Sequence, residues 1–88
     1  MQSLKDQAII VTGASRGIGA AAALALADSG AKLCLSARSA ASCSGVMEEI
    51  KNRSGEAFAA SCDVADYAAV ERLVAETLDR YGRLDAII

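Results

Sequence analysis

The segment Thr12-Gly13-Ala14-Ser15-Arg16-Gly17-Ile18-Gly19 constrains this chain more than any other, because of what stands on either side of it. Before it runs the apolar stretch Ala8-Ile9-Ile10-Val11, and after it an alanine-rich stretch that ends at Asp28. Strand, glycine-rich turn and helix in that order build a cradle for phosphate. Glycines allow a sharp bend and let a pyrophosphate approach the backbone closely. A helix starting near Gly17 then aims its free N–H groups and the positive end of its dipole at the anion.

The glycine spacing decides which cradle is meant. Gly17-Ile18-Gly19-Ala20-Ala21-Ala22 matches a bare Gly-x-Gly-x-x-Ala pattern but places the turn too late, since the strand ends by Thr12. Counted from Gly13 the spacing is Gly-x-x-x-Gly-x-Gly. No Lys-Ser or Lys-Thr follows to reach terminal phosphates and magnesium, so the loop of nucleoside triphosphatases is excluded. The string TGASRGIG resembles that of the short-chain dehydrogenase/reductase family, residue for residue, and a dinucleotide is the ligand it implies. The competing reading is that the glycines serve only close helix-on-strand packing.

At 88 residues the chain allows one small domain, close to the lower limit for a single core. An apolar fraction of 53% without a tract of about 18 apolar residues points to a soluble globular protein. Met1-Gln2-Ser3-Leu4-Lys5-Asp6 has no basic start followed by an apolar core, so no secretion signal is read and a cytoplasmic location is expected. Nine basic and eleven acidic residues give a net charge of −2 without a basic stripe, which argues against nucleic-acid binding. Cys34, Cys43 and Cys62 are odd in number, include no Cys-x-x-Cys pair and have no histidine to join them. Buried or half-buried reduced thiols are expected, rather than a metal site or a disulfide framework.

Along the chain strands and helices alternate without a linker or repeat. Strands are expected at about 7–12, 31–37 and 57–62, with a fourth starting at Leu84. Helices are expected at about 17–28, 41–53 and from Asp66 to Gly82. Asp66 supplies an N-cap, and Gly30, Gly55 and Gly82 stand at helix ends. In the last helix Val70, Leu73, Val74, Thr77, Leu78 and Tyr81 recur at three- and four-residue steps and are read as core or sheet-facing surface. Such alternation requires right-handed crossovers, hence a Rossmann-type α/β fold with a doubly wound parallel sheet. The family resemblance implies the strand order 3-2-1-4. Ligands then bind at the carboxyl ends of the strands beside the switch point, where Gly13, Arg38 and Asp63 all fall.

Arg38 stands nineteen residues after Gly19, where an NAD-binding fold carries an acid for the ribose hydroxyl. Ser36, Ala37, Arg38 and Ser39 offer no carboxylate, and a guanidinium can pair bidentately with a 2′-phosphate. Arg16 can reach the same phosphate from the loop, and in the family a basic residue at that place likewise implies NADP. The expectation is NADP(H) in preference to NAD(H), against the plainer reading of two solvated surface charges. Asp63-Val64 resembles the family's adenine-binding pair, although Asp63 could equally cap a helix or form a turn. The expected cofactor-binding residues are therefore Gly13, Ser15, Arg16, Gly17, Ile18, Gly19, Arg38, Asp63 and Val64.

Catalysis has no candidates among these residues. Family members use a Tyr-x-x-x-Lys pair, a Ser and an Asn beyond the fourth strand, whereas here Tyr67 is followed four places on by Glu71, and Tyr81 by Asp85. The 88 residues are expected to be a partial NAD(P)-binding Rossmann domain, the N-terminal part of an oxidoreductase resembling the ketoacyl-carrier-protein reductases, ending in or just after strand four. A stand-alone nucleotide-binding or partner-docking module is the alternative. In either case the edge of the fourth strand is expected to favour self-association.

Overall fold

A computed structural model describes residues 3–88; Met1 and Gln2, the start of the segment read for a secretion signal, lie outside the described residues. Four strands, β1 (Ala8–Thr12), β2 (Lys32–Ala37), β3 (Glu56–Ser61) and β4 (Ala86–Ile87), alternate with helices α1 (Gly17–Asp28), α2 (Ser44–Asn52) and α3 (Tyr67–Tyr81). All strand pairs are parallel and the order is β3-β2-β1-β4, the Rossmann-type arrangement expected.

The pleat divides the core in two. Ile9, Val11, Leu33 and Leu35 point to the face covered by α1 and α2, where Ala23, Ala27 and Ile50 meet them. Ile10, Cys34 and Phe58 point to the opposite face, under Leu73 of α3. Helices on both faces explain why β1 and β2 are nearly continuous apolar runs rather than alternating ones. All three cysteines are free and buried. Among the described residues no helix is long and apolar enough to cross a membrane.

Helix ends follow local chemistry. The Asp66 carboxylate accepts the Ala68 and Ala69 N–H groups at 3.0 and 3.3 Å, capping α3. Gly82 ends that helix at φ +74°, a left-handed conformation that only glycine adopts freely. Two expectations need correcting. Residues 41–53 do not form one helix: Ala40–Cys43 wind as a 3-10 turn before α2. Ser42 accounts for this, since both its N–H (3.1 Å) and its hydroxyl (2.6 Å) donate to the Ser39 carbonyl and tighten the turn. Leu78 is 46% exposed rather than core. It lies one turn beyond Val74 and, unlike Val70, Leu73 and Val74, does not join the core under α3.

Tyr81 ties α3 to the sheet. Its hydroxyl donates to the Leu33 carbonyl at 2.8 Å, and its ring lies 5.6 Å from that of Phe58 in a tilted pair.

Candidate functional site

A cleft of about 980 Å³ opens at the carboxyl ends of β1, β2 and β3. Three hydrogen bonds, two between backbone groups and one to a serine side chain, pin its rim to the sheet. The Ala14 N–H donates to Ser36 O at 3.0 Å, holding the loop after β1 against β2; the Cys62 N–H donates to Ala37 O at 2.8 Å, carrying β3 past its last residue. The Ala40 N–H donates to Ser61 Oγ at 2.8 Å and binds the loop after β2 to β3.

The loop after β1 has two left-handed glycines, Gly13 at φ +59° and Gly17 at φ +61°. Gly19 serves a different purpose. A Cβ there would collide with the Gly13 carbonyl oxygen and lie 2.8 Å from its carbon, so α1 can start this close to the loop only without a side chain. The residue before α1, Arg16, is extended and gives no side-chain cap, and the first turn holds no acidic residue. The N-terminus of α1 thus keeps its N–H groups open toward the cleft, in contrast with α3, whose N-terminus Asp66 occupies.

All nine residues singled out from the sequence line this cleft: Gly13, Ser15, Arg16, Gly17, Ile18 and Gly19 from the β1 loop, Arg38 beyond β2, and Asp63 and Val64 beyond β3. Ile18 is 90% exposed, an apolar side chain held out over the opening. Arg16 and Arg38 are exposed and have no ion-pair partner among the described residues; Arg53, Arg80 and Arg83 are paired with carboxylates, and Arg72 of α3, which does not line the cleft, is unpaired as well. The Asp63 carboxylate accepts the Ala65 N–H at 2.9 Å through Oδ1, so it does form a turn, as the plainer reading held. Asp66, not Asp63, caps the helix.

Five further lining residues escaped the reading of the sequence as site residues: Ser36, Ala37, Ser39, Ser42 and Cys62. Four of them are small residues at or just beyond the end of β2, a position that marks them even though their side chains carry no motif. Ser36 is the odd one. It is 1% exposed, and its Oγ has no hydrogen-bond partner.

The family model for short chain dehydrogenases matches residues 7–88. The chain belongs to the short-chain dehydrogenase/reductase family. Within the family it is 46% identical over 85 residues to an uncharacterized oxidoreductase of Listeria monocytogenes, covering 97% of this chain and 34% of that protein. It is 43% identical over 89 residues to the 3-oxoacyl-[acyl-carrier-protein] reductase of a Synechocystis species, covering 100% of this chain and 36% of that one. A solved metagenomic short-chain oxidoreductase in complex with NADP superposes with a TM-score of 0.91 at 40% identity, covering 98% of this chain and 39% of that structure. The chain thus spans about a third of the length of the curated relatives it matches.

Proposed function

We propose that the cleft binds a nicotinamide dinucleotide, NADP(H) in preference to NAD(H), as the cofactor-binding part of an oxidoreductase that transfers hydride between NADP(H) and a carbonyl or alcohol substrate. One observation carries the cofactor preference: two unpaired guanidinium groups, Arg16 and Arg38, line a cleft whose β2 end is Ala37-Arg38-Ser39, without a carboxylate. An acid at that place would repel a 2′-phosphate, whereas guanidinium groups pair with it bidentately.

The residues of the cleft fit such a ligand. The open N-terminus of α1 and the backbone of Gly13, Ser15 and Gly17 suit the pyrophosphate, and Gly19 keeps helix and loop close enough for it. Asp63 has its Oδ2 available for an adenine amino group, with the exposed Val64 beside it to cover one face of the ring. When bound, the nicotinamide ring supplies the hydride. The part of this chain is to bind and orient; none of its residues is proposed as the acid or base. A cytoplasmic location agrees with three free cysteines. Ile87 and Ile88, about half exposed at β4, support pairing between copies of the chain, which a concentration series in sedimentation velocity tests.

Titration by calorimetry or fluorescence tests the cofactor preference. NADPH is expected to bind tighter than NADH, and Arg38→Asp to weaken NADPH by about tenfold or more while sparing NADH. Equal affinities in the wild-type chain would overturn the preference, and an equal loss for both nucleotides in the variant would make Arg38 a support of the fold.

A further inference from the structure

The Ser36 hydroxyl is the one side-chain polar atom among the described residues that is buried without a partner. Its surroundings explain the vacancy. On β2, Ser36 stands in register between Thr12 of β1 and Ala60 of β3. Ala60 has no polar side chain, and the Thr12 hydroxyl is turned to the Ile88 carbonyl, to which it donates at 2.7 Å, and makes no bond with Ser36. A buried donor left unsatisfied costs about 1–3 kcal/mol, and native structures seldom retain one without a use.

The position of Ser36 suggests that use. It lines the cleft together with Arg38, while Ala37 between them packs into the α1 and α2 core. A serine has three staggered rotamers, so turning its hydroxyl toward a ligand needs rotation about one bond and no backbone movement.

We propose that Ser36 is a nucleotide-binding residue whose hydroxyl donates to an oxygen or nitrogen acceptor on the adenosine half of the dinucleotide, while the same hydroxyl, unpaired in the free protein, lowers stability. The inference rests on the dinucleotide reading of the cleft and adds a contact that does not discriminate the two cofactors, since the adenosine acceptors are common to both.

The test compares wild type, Ser36→Ala and Ser36→Thr by thermal melting and by titration with NADPH and with NADH. Ser36→Ala is expected to melt higher than wild type without nucleotide, yet to bind both nucleotides about three- to tenfold more weakly, by the same factor. Ser36→Thr, which keeps the hydroxyl, is expected to restore most of the affinity. Unchanged affinity in Ser36→Ala, with wild type still binding, overturns the role of Ser36 alone. A loss confined to NADPH overturns the adenosine assignment and gives Ser36 to the 2′-phosphate. Failure of wild type to bind either nucleotide overturns the cofactor reading itself and this inference with it.

Discussion

Asp85 grips Ala8 by both backbone groups. Its carboxylate accepts the Ala8 N–H at 2.8 Å, and its own N–H donates to the Ala8 carbonyl, also at 2.8 Å. Arg83 steadies that carboxylate with two donors, Nε to Oδ2 and Nη2 to Oδ1, each at 2.8 Å. The first residue of β1 is thereby fixed to the approach of β4, 77 positions later in the chain.

This clamp makes stability sensitive to acid. The Arg83 guanidinium and the Ala8 N–H hold the Asp85 carboxyl below the ordinary carboxylate range. Its contribution is complete above that range and is lost as pH falls through its depressed value. Asp85→Ala leaves the buried Ala8 N–H without a partner and is expected to lower the melting temperature by several degrees at pH 7; Asp85→Asn, which keeps an acceptor, by less. Thermal melts from pH 7 downward check both statements, and the difference between wild type and Asp85→Ala should shrink in strong acid.

Gly19→Ala sets a methyl group against the backbone of Gly13, which cannot rotate away as a side chain would. A loss of about 1–3 kcal/mol is expected in urea unfolding, together with weaker nucleotide binding as α1 lifts from the loop. Gly45→Ala is the control, since a Cβ there meets nothing within 4 Å. Equal effects from the two variants would show that helix propensity, not the close approach, governs Gly19.

The opposite end of the pH scale tests the α3 face. Burial, partly offset by the Thr77 hydrogen bond, pushes the Cys34 thiol up to about 11 from its usual 9.0. Burial, followed by the nearby Glu56, also raises the Tyr81 phenol. Both groups are held neutral by the fold, so their contribution is intact below about pH 9 and is lost as pH rises through their raised values. Tyr81→Phe removes the hydrogen bond to Leu33 and is expected to cost about 0.5–1.5 kcal/mol at pH 7. It should also flatten the alkaline loss of stability, leaving the Cys34 part, which urea unfolding between pH 8 and 11 can resolve. Cys34 should stay unreactive toward thiol reagents at pH 8 in the folded chain.

Much of this molecule can be read along one dimension. Glycine spacing and apolar periodicity are local properties, so the strand, loop and helix around Gly13 and the capping of α3 by Asp66 are visible in the sequence. The strand order follows from the family resemblance rather than from any residue count. What stays hidden depends on register and closure. That Ser36 lacks a partner requires knowing that Thr12 and Ala60 flank it and that the Thr12 hydroxyl turns to Ile88 instead. Asp85 reads as an ordinary residue of the fourth strand, whereas in the fold it precedes β4 and is set beside Ala8. The 3-10 turn before α2 arises from two donations by Ser42 to one carbonyl, a competition that helical periodicity does not record.

The alanines of α1 bear on evolution as well as on packing. Ala23 and Ala27 are buried against the sheet while Leu24 and Leu26 pack half-buried beside them, so the closest approach of this helix is made by its smallest side chains. Any enlargement at either site would prise the whole rod outward like a lever, and its far end is the N-terminus that faces the cleft. A larger side chain more than a full turn away from the loop would therefore be felt at the N-terminus of α1. The narrowness of that seat makes the alanine face as much a part of the proposed nucleotide site as the glycines that announce it.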